Sequence, residues 1–177
     1  VLTAYSLVSR ISAFLSCPGM GISNASAAMV GQNLGANKPD RAGRSAFLSG
    51  IGAAGTSLLL FGLLNLSPRF WLGIFDPSPE VIAVAVTATR FLLLSGTATS
   101  LSTVLDRSLT AAGDAMMVMV ISIASLWIGQ VGLVWLLSVG LDLGPVGIWA
   151  GIGIGYVISC MGMALRFRQG RWRHIHV

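Results

Sequence analysis

Thr99 and Thr103 stand one helical turn apart, with Ser95 one turn before them, in the run Val81–Leu105, whose only charge is Arg90. Hydroxyls four residues apart share one face of a helix. There they can ligate a cation, hydrogen-bond a substrate, or bond to a neighbouring helix as small polar packing residues. Asn24, in the uncharged run Ile11–Asn37, offers an amide for the same uses. Arg10 and Arg90 are expensive residues, because a cation deep in an apolar helix must snorkel, pair or face water. They fit a water-filled cleft, or helices that project beyond the lipid. Pro18 and Gly19, near the middle of the first run, predict a helix kink, since proline lacks a donor and crowds the preceding turn. Such a break either lines a cavity or only adjusts helix packing.

Nothing in the chain assembles a catalytic set. There is no Ser-His-Asp grouping and no pair of carboxylates within an apolar run, and the two histidines, His174 and His176, fall at the end of the chain. Two histidines on a terminal stretch are too few for a metal site, and Cys17 and Cys160 lie singly in apolar runs, where a thiol packs as a small hydrophobe. Asp106 and Asp114 are expected to pair with Arg107 or meet water. The segment GQNLGANKPDR lacks the spacing of a phosphate loop. It reads instead as helix punctuation, with Gly35 ending one helix, Pro39 opening the next and Asp40 in its first turn. The glycines from Gly151 to Gly155 follow no strand, so they point to close helix packing rather than dinucleotide binding. No cofactor or metal ligand set is expected.

These residues need helices in lipid to position them. The chain is 54% hydrophobic and 10% charged, with a mean hydropathy of +0.81, whereas a soluble domain carries about 25% charged residues. Backbone groups in lipid must bond internally, which requires helices, and about 20 apolar residues cross a bilayer. The expected fold is all-α and membrane-integral, with five transmembrane helices at about residues 2–33, 42–66, 81–105, 115–140 and 146–165. Residues 1–166 make one transmembrane unit and 167–177 a basic, solvated tail. The chain begins with Val rather than Met, which is expected of a truncation.

Charge orients the array. With five crossings, Lys38, Arg41, Arg44, Arg107, Arg166, Arg168, Arg171 and Arg173 share one side, and only Arg69 lies on the other. The positive-inside rule makes the first side cytoplasmic and puts the C-terminus inside. The net charge of +5 is therefore a matter of orientation and anionic headgroups, not nucleic acid. The link SPRFWLGIFDPSPE, with Phe70, Trp71 and Phe75, is expected to form a short interfacial segment before a turn at Asp76–Pro79.

The stretch SRISAFLSCPGMGISNASAAMVGQNLGANKPDRAGR resembles the eighth helix and following link of multidrug and toxic compound extrusion (MATE) transporters. FDPSPEVI, SLTAAGDAM and LGPVGIWAGIGIGY resemble later pieces of that family in the same order. The resemblance covers essentially the whole chain and implies two six-helix lobes around a central cleft. This chain would be the C-terminal lobe without its first helix, partnered by an N-terminal lobe and the bilayer. It also implies export of small amphipathic or cationic substrates by antiport with Na⁺ or H⁺. Some members place an aspartate where Thr99 falls here. The coupling ion would then be held mainly in the N-terminal lobe. Asn24, Ser95, Thr99, Thr103, Arg10 and Arg90 are the substrate-pathway candidates. Two alternatives stay open: a lipid-linked saccharide flippase of the same superfamily, which Arg10 and Arg90 would suit, and a membrane assembly subunit without transport.

Overall fold

The computed structural model describes residues 2–75 and 78–174. Five long helices account for most of them: α1 (Leu2–Gly35), α2 (Pro39–Leu66), then after the short α3 (Pro68–Gly73) the long α4 (Pro79–Ala111), α5 (Ala115–Gly140) and α6 (Gly144–Arg168). No strand occurs among the described residues. Helix α4 is central, packed on one side by α1 and α2 and on the other by α6; α5 lies outside, against α6.

Helix boundaries follow local chemistry. Helix α1 ends at Gly35, but the left-handed residue that closes it is Asn37, at φ 55°. The Lys38 amide returns to the Asn33 carbonyl at 2.8 Å and the Asn37 amide to Leu34 at 2.9 Å, satisfying two terminal carbonyls. Asparagine tolerates that conformation almost as glycine does. Pro39 opens α2, where its missing donor costs nothing, and Asp40 sits in the first turn. The second tight connection uses positive φ at both Asp142 (52°) and Gly144 (53°), the first residue of α6, with Pro145 in its first turn. The aromatic link forms α3, with Phe70 and Trp71 exposed edge to face; Asp76 and Pro77 of the expected turn lie outside the described residues.

Large apolar side chains point outward on α2 and α5, including Phe47, Leu58, Leu59, Trp127, Ile128 and Trp135. That inside-out pattern is stable when the surrounding solvent is hydrocarbon. Helices α2, α5 and α6 are long and apolar enough to cross a membrane by length and composition. Helices α1 and α4, of 34 and 33 residues, are also long enough to cross. Hydroxyl residues on these helices turn toward their neighbours: Ser26 of α1 bonds to Ser108 of α4, and Ser57 of α2 to Ser100 of α4.

Two apolar clusters close the bundle at its ends. At one end Val8 of α1, Leu72 of α3, Ala85 and Ala88 of α4 and Trp149 of α6 pack together. At the other, Val30, Ala42, Ala46, Leu109, Met163 and Trp172 do so. Trp172 overturns the expectation of a solvated tail from residue 167. Helix α6 runs on to Arg168, the chain turns at Gly170 (φ 69°), and a 3₁₀ turn at Arg171–His174 buries the indole completely. The ring stacks on Phe167 at 4.9 Å and donates to the Phe167 carbonyl at 2.9 Å. An indole with its N–H satisfied is more stable buried than wet, and the basic neighbours stay outside.

Candidate functional site

Between the two clusters, α1 and α4 face each other with hydroxyls rather than hydrocarbon. Ser12 and Ser16, one turn apart on α1, donate to the Val8 and Ser12 carbonyls at 2.8 and 2.7 Å. On α4, Ser95, Thr99 and Thr103 donate to Phe91, Ser95 and Thr99 at 2.8, 2.7 and 2.8 Å. Each hydroxyl thus bonds to the carbonyl one turn back, which satisfies its hydrogen in a low-dielectric setting and leaves its oxygen as an acceptor.

Two close approaches hold the spacing. A Cβ on Gly19 would stand 3.1 Å from the Ser100 oxygen, and one on Gly96 would meet the Phe61 ring at 2.3 Å. Gly96 therefore lets the ring lie directly on α4. The outcome is a cavity of about 210 Å³. Ser12, Ser16 and Gly19 form its α1 wall, Ser95, Thr99 and Thr103 its α4 wall, and Phe61, Leu92 and Met20 supply apolar surface. Tyr156 of α6 also lines it.

Thr99, Thr103 and Tyr156 also line a second, more polar cavity of about 210 Å³ toward the α4–α5 turn. Asp106 faces that cavity, joined by Ser102 and Ser159, whose hydroxyls lie 3.3 Å apart across α4 and α6. At the turn itself Asp114 is buried and pairs with Arg166, Oδ2 to Nε at 2.6 Å and Oδ1 to Nη2 at 3.0 Å. The expected partner was Arg107 or water. Arg166 wins because α6 brings its last turn beside the turn that carries Asp114, giving a two-point bond.

The sequence candidates divide sharply. Ser95, Thr99 and Thr103 come together with the missed residues Ser12, Ser16 and Tyr156. Asn24 does not join them: it is exposed on α1 and lines neither cavity. Arg10 is exposed and belongs to a separate apolar groove with Phe14, Trp71 and Phe75, and Arg90 is exposed on α4 and lines neither polar cavity. Pro18 is exposed and α1 continues helical through it, while Gly19 is used for close approach to Ser100. The signal for Ser12 and Ser16 was present as a stripe of small polar residues continuing through Gly19, Ser23 and Ser26, three or four residues apart. Nothing in sequence ties Tyr156 to α4. Among the described residues no three His, Cys, Asp or Glu side chains gather as a metal site.

A mixed cavity between polar helices inside an outward-apolar bundle suits passage or holding of a small amphipathic molecule. The MatE family model matches residues 1–136. The chain belongs to the MatE family. Its MatE relatives include probable multidrug resistance proteins NorM. The one from Rhodopseudomonas palustris is 28% identical over 176 residues, covering 95% of this chain and 36% of the relative. That of Deinococcus radiodurans is 29% identical over 186 residues, covering 97% of this chain and 40% of the relative. Among solved structures, the MATE transporter ClbM in complex with Rb⁺ superposes with a TM-score of 0.89 at 22% identity, covering 97% of this chain and 41% of that one. An inward-facing MATE transporter of the MOP superfamily gives 0.84 at 17% identity, covering 94% and 38%. The MatE chain is therefore a helical, multi-pass membrane protein of a transporter family rather than an enzyme, and it spans about two-fifths or less of these relatives' length.

Proposed function

We propose that this MatE chain is the C-terminal lobe, lacking one helix, of a secondary transporter. It exports small amphipathic or cationic compounds from the cell in exchange for Na⁺ or H⁺, with its C-terminus in the cytoplasm. The observation that carries the reading is the α1–α4 cavity, which combines satisfied hydroxyls with the Phe61 ring and the Tyr156 side chain. Hydroxyls whose hydrogens are already committed offer acceptors to a cationic group, while the apolar wall takes the rest of an amphipathic body. The multidrug resistance names of the relatives support export, and the charge asymmetry between the two sets of loops supports the orientation. The complementary lobe would be the rest of the same polypeptide, rocking against this one.

The test is efflux of a cationic dye from cells, or into vesicles, by the full polypeptide. Thr99→Val and Ser95→Ala each delete one acceptor, worth about 1 kcal/mol, or roughly a five-fold loss of apparent affinity. Asn24→Ala should leave transport unchanged. Equal efflux by all three variants and the parent removes the cavity from the transport path. Flipping of a labelled lipid-linked saccharide in place of dye efflux overturns the substrate class.

A further inference from the structure

A third opening lies on the face of α4 turned away from its hydroxyls. Leu101 and Leu105 stand two residues beyond Thr99 and Thr103, and two residues turn a helix by about 200°, so the leucines point to the opposite side. They floor a groove of about 300 Å³ between α2 and α6. Ala46, Gly50 and Ala54, four residues apart, leave the α2 wall without bulk, and a Cβ on Gly50 would stand 3.0 Å from Leu101. Phe47 and Ile51, both exposed, line the same groove, which runs about 12 Å along α2 from Ala46 to Ala54. It opens away from the hydroxyl cavity.

One end of this groove is cationic. Arg168, the last residue of α6, is the one polar side chain among its described lining residues, and Arg44 stands three residues before Phe47 on the same stripe of α2. The turn that carries Arg171 is tied to the same place, because Trp172 stacks at 4.9 Å on Phe167, itself a groove residue. Trp172 and Arg173 also lie on α2 at Gly43, where a Cβ would meet the Arg173 guanidinium at 3.1 Å. The folded-back tail therefore bridges the two walls. Arg173 is already spent, reaching Asp40 at 3.4 Å and lying 5.4 Å over the Trp172 ring. Arg44, Arg168 and Arg171 are exposed and form no hydrogen bond or ion pair with a described residue. Three uncommitted guanidiniums thus gather at one end of a hydrocarbon slot.

We infer that the groove between α2, α4 and α6 binds an anionic phospholipid, with one acyl chain lying on Leu101 and Leu105 and the phosphate held by Arg168 and Arg44. Guanidinium meets phosphate through two parallel hydrogen bonds, and a basic pocket between membrane helices recognises anionic headgroups. A zwitterionic headgroup brings its own cation and gains less. A soluble anion would make no use of the apolar floor, and a peptide segment would have to satisfy its backbone where the walls offer no partners. The binding itself stands apart from transport; only the leaflet that supplies the lipid, the inner one, rests on the orientation proposed above. The acyl chain would lie directly behind Thr99 and Thr103, on the helix that forms a wall of the hydroxyl cavity.

The experiment is native mass spectrometry of the purified full polypeptide in mild detergent, titrated with phosphatidylglycerol or with phosphatidylcholine of the same acyl chains. The parent is expected to take up phosphatidylglycerol saturably and to prefer it by about five-fold or more. Arg168→Gln should weaken that lipid about five-fold, and Arg44→Gln combined with Arg168→Gln about 25-fold, with phosphatidylcholine unaffected. Ala54→Phe, which fills the slot and keeps every charge, should weaken both lipids. Arg168→Lys should retain most of the preference. Should the double variant fail to fold, the Arg168→Lys and Ala54→Phe affinities decide in its place. Equal affinity of the parent for the two lipids overturns the site, as does phosphatidylglycerol binding unaltered in the double variant or in Ala54→Phe. A parent without saturable uptake overturns it too, the result expected if another segment of the full polypeptide fills the groove. Dye efflux, measured on the same proteins, separates the two ideas. Efflux by a parent that binds no phosphatidylglycerol leaves transport standing and removes the site; saturable, variant-sensitive binding in a parent without efflux does the reverse.

Discussion

Two helix seams run through this molecule, and small residues build both, with opposite results. Along α5 and α6, Gly147, Gly151 and Gly155 repeat every four residues. A Cβ on them would lie 2.7 Å from the Leu137 carbonyl carbon, 2.7 Å from the Val134 nitrogen and 2.4 Å from the Gln130 side chain. The backbones touch, and no room is left for a guest. Along α1 and α4 the small residues are mostly Ser and Thr, whose oxygens hold the helices apart by an atom and leave a cavity beside Tyr156. Glycine closes a seam by removing the side chain; a hydroxyl keeps it open and makes it polar. Helix α5 adapts further: Ser125–Gly132 and Leu136–Gly140 are wound as π turns, facing the glycine row of α6.

The contrast can be broken most forcefully where the halves are stapled. Asp114→Ala should cost about 1.5–3 kcal/mol, because Arg166 would lose its two-point bond to the carboxylate and keep only Gln169 as a partner. A correspondingly lower unfolding temperature in mild detergent checks it, and Asp114→Glu should recover part. Next comes the closed seam itself. Gly151→Val should destabilise by about 1–3 kcal/mol through overpacking against Val134, whereas valine in place of Gly52, with open space around it, should show no such clash. If both valine variants melt alike, the idea of a backbone-contact seam fails.

Smaller effects sharpen the other side. Ser26→Ala removes the bond to Ser108 and should cost about 0.6 kcal/mol, since interhelical hydroxyl pairs in lipid contribute little net stability. A loss several times larger would mean that the hydroxyl seam is structural in the way the glycine seam is. Least of all, Gly52→Ala should raise stability by about 0.5–1 kcal/mol through helix propensity alone, read by the same thermal scan.

Much of the architecture was legible before any coordinates. Charge-free runs of helix length and punctuation at Gly35 and Pro39 set the long helices. The boundaries moved where an apolar run is not the measure of a helix: α4 continues past Leu105 through Asp106 and Arg107 to Ala111, because helix propensity and bundle packing carry it beyond its apolar stretch. The site was half legible. The α4 hydroxyls announced themselves by a four-residue repeat, but the repeat could not say whether they meet a cavity or a neighbour. Asn24 carried the right chemistry and an exposed position. Arg10 and Arg90 drew notice for their cost in lipid, and the fold answered by exposing both away from the polar cavities.

Solvent, helix count and the clustering of basic residues are properties of composition and linear order, so the sequence by itself determined them. Aggregated hydrophobicity has no need of tertiary partners to be read. Partnership is different. That Asp114 takes Arg166, that Trp172 folds back into the core and that Tyr156 shares a cavity with the α4 hydroxyls all join residues distant along the chain. A helix presents every side chain at a fixed angle, but which neighbour meets that face is settled only when all the helices pack at once.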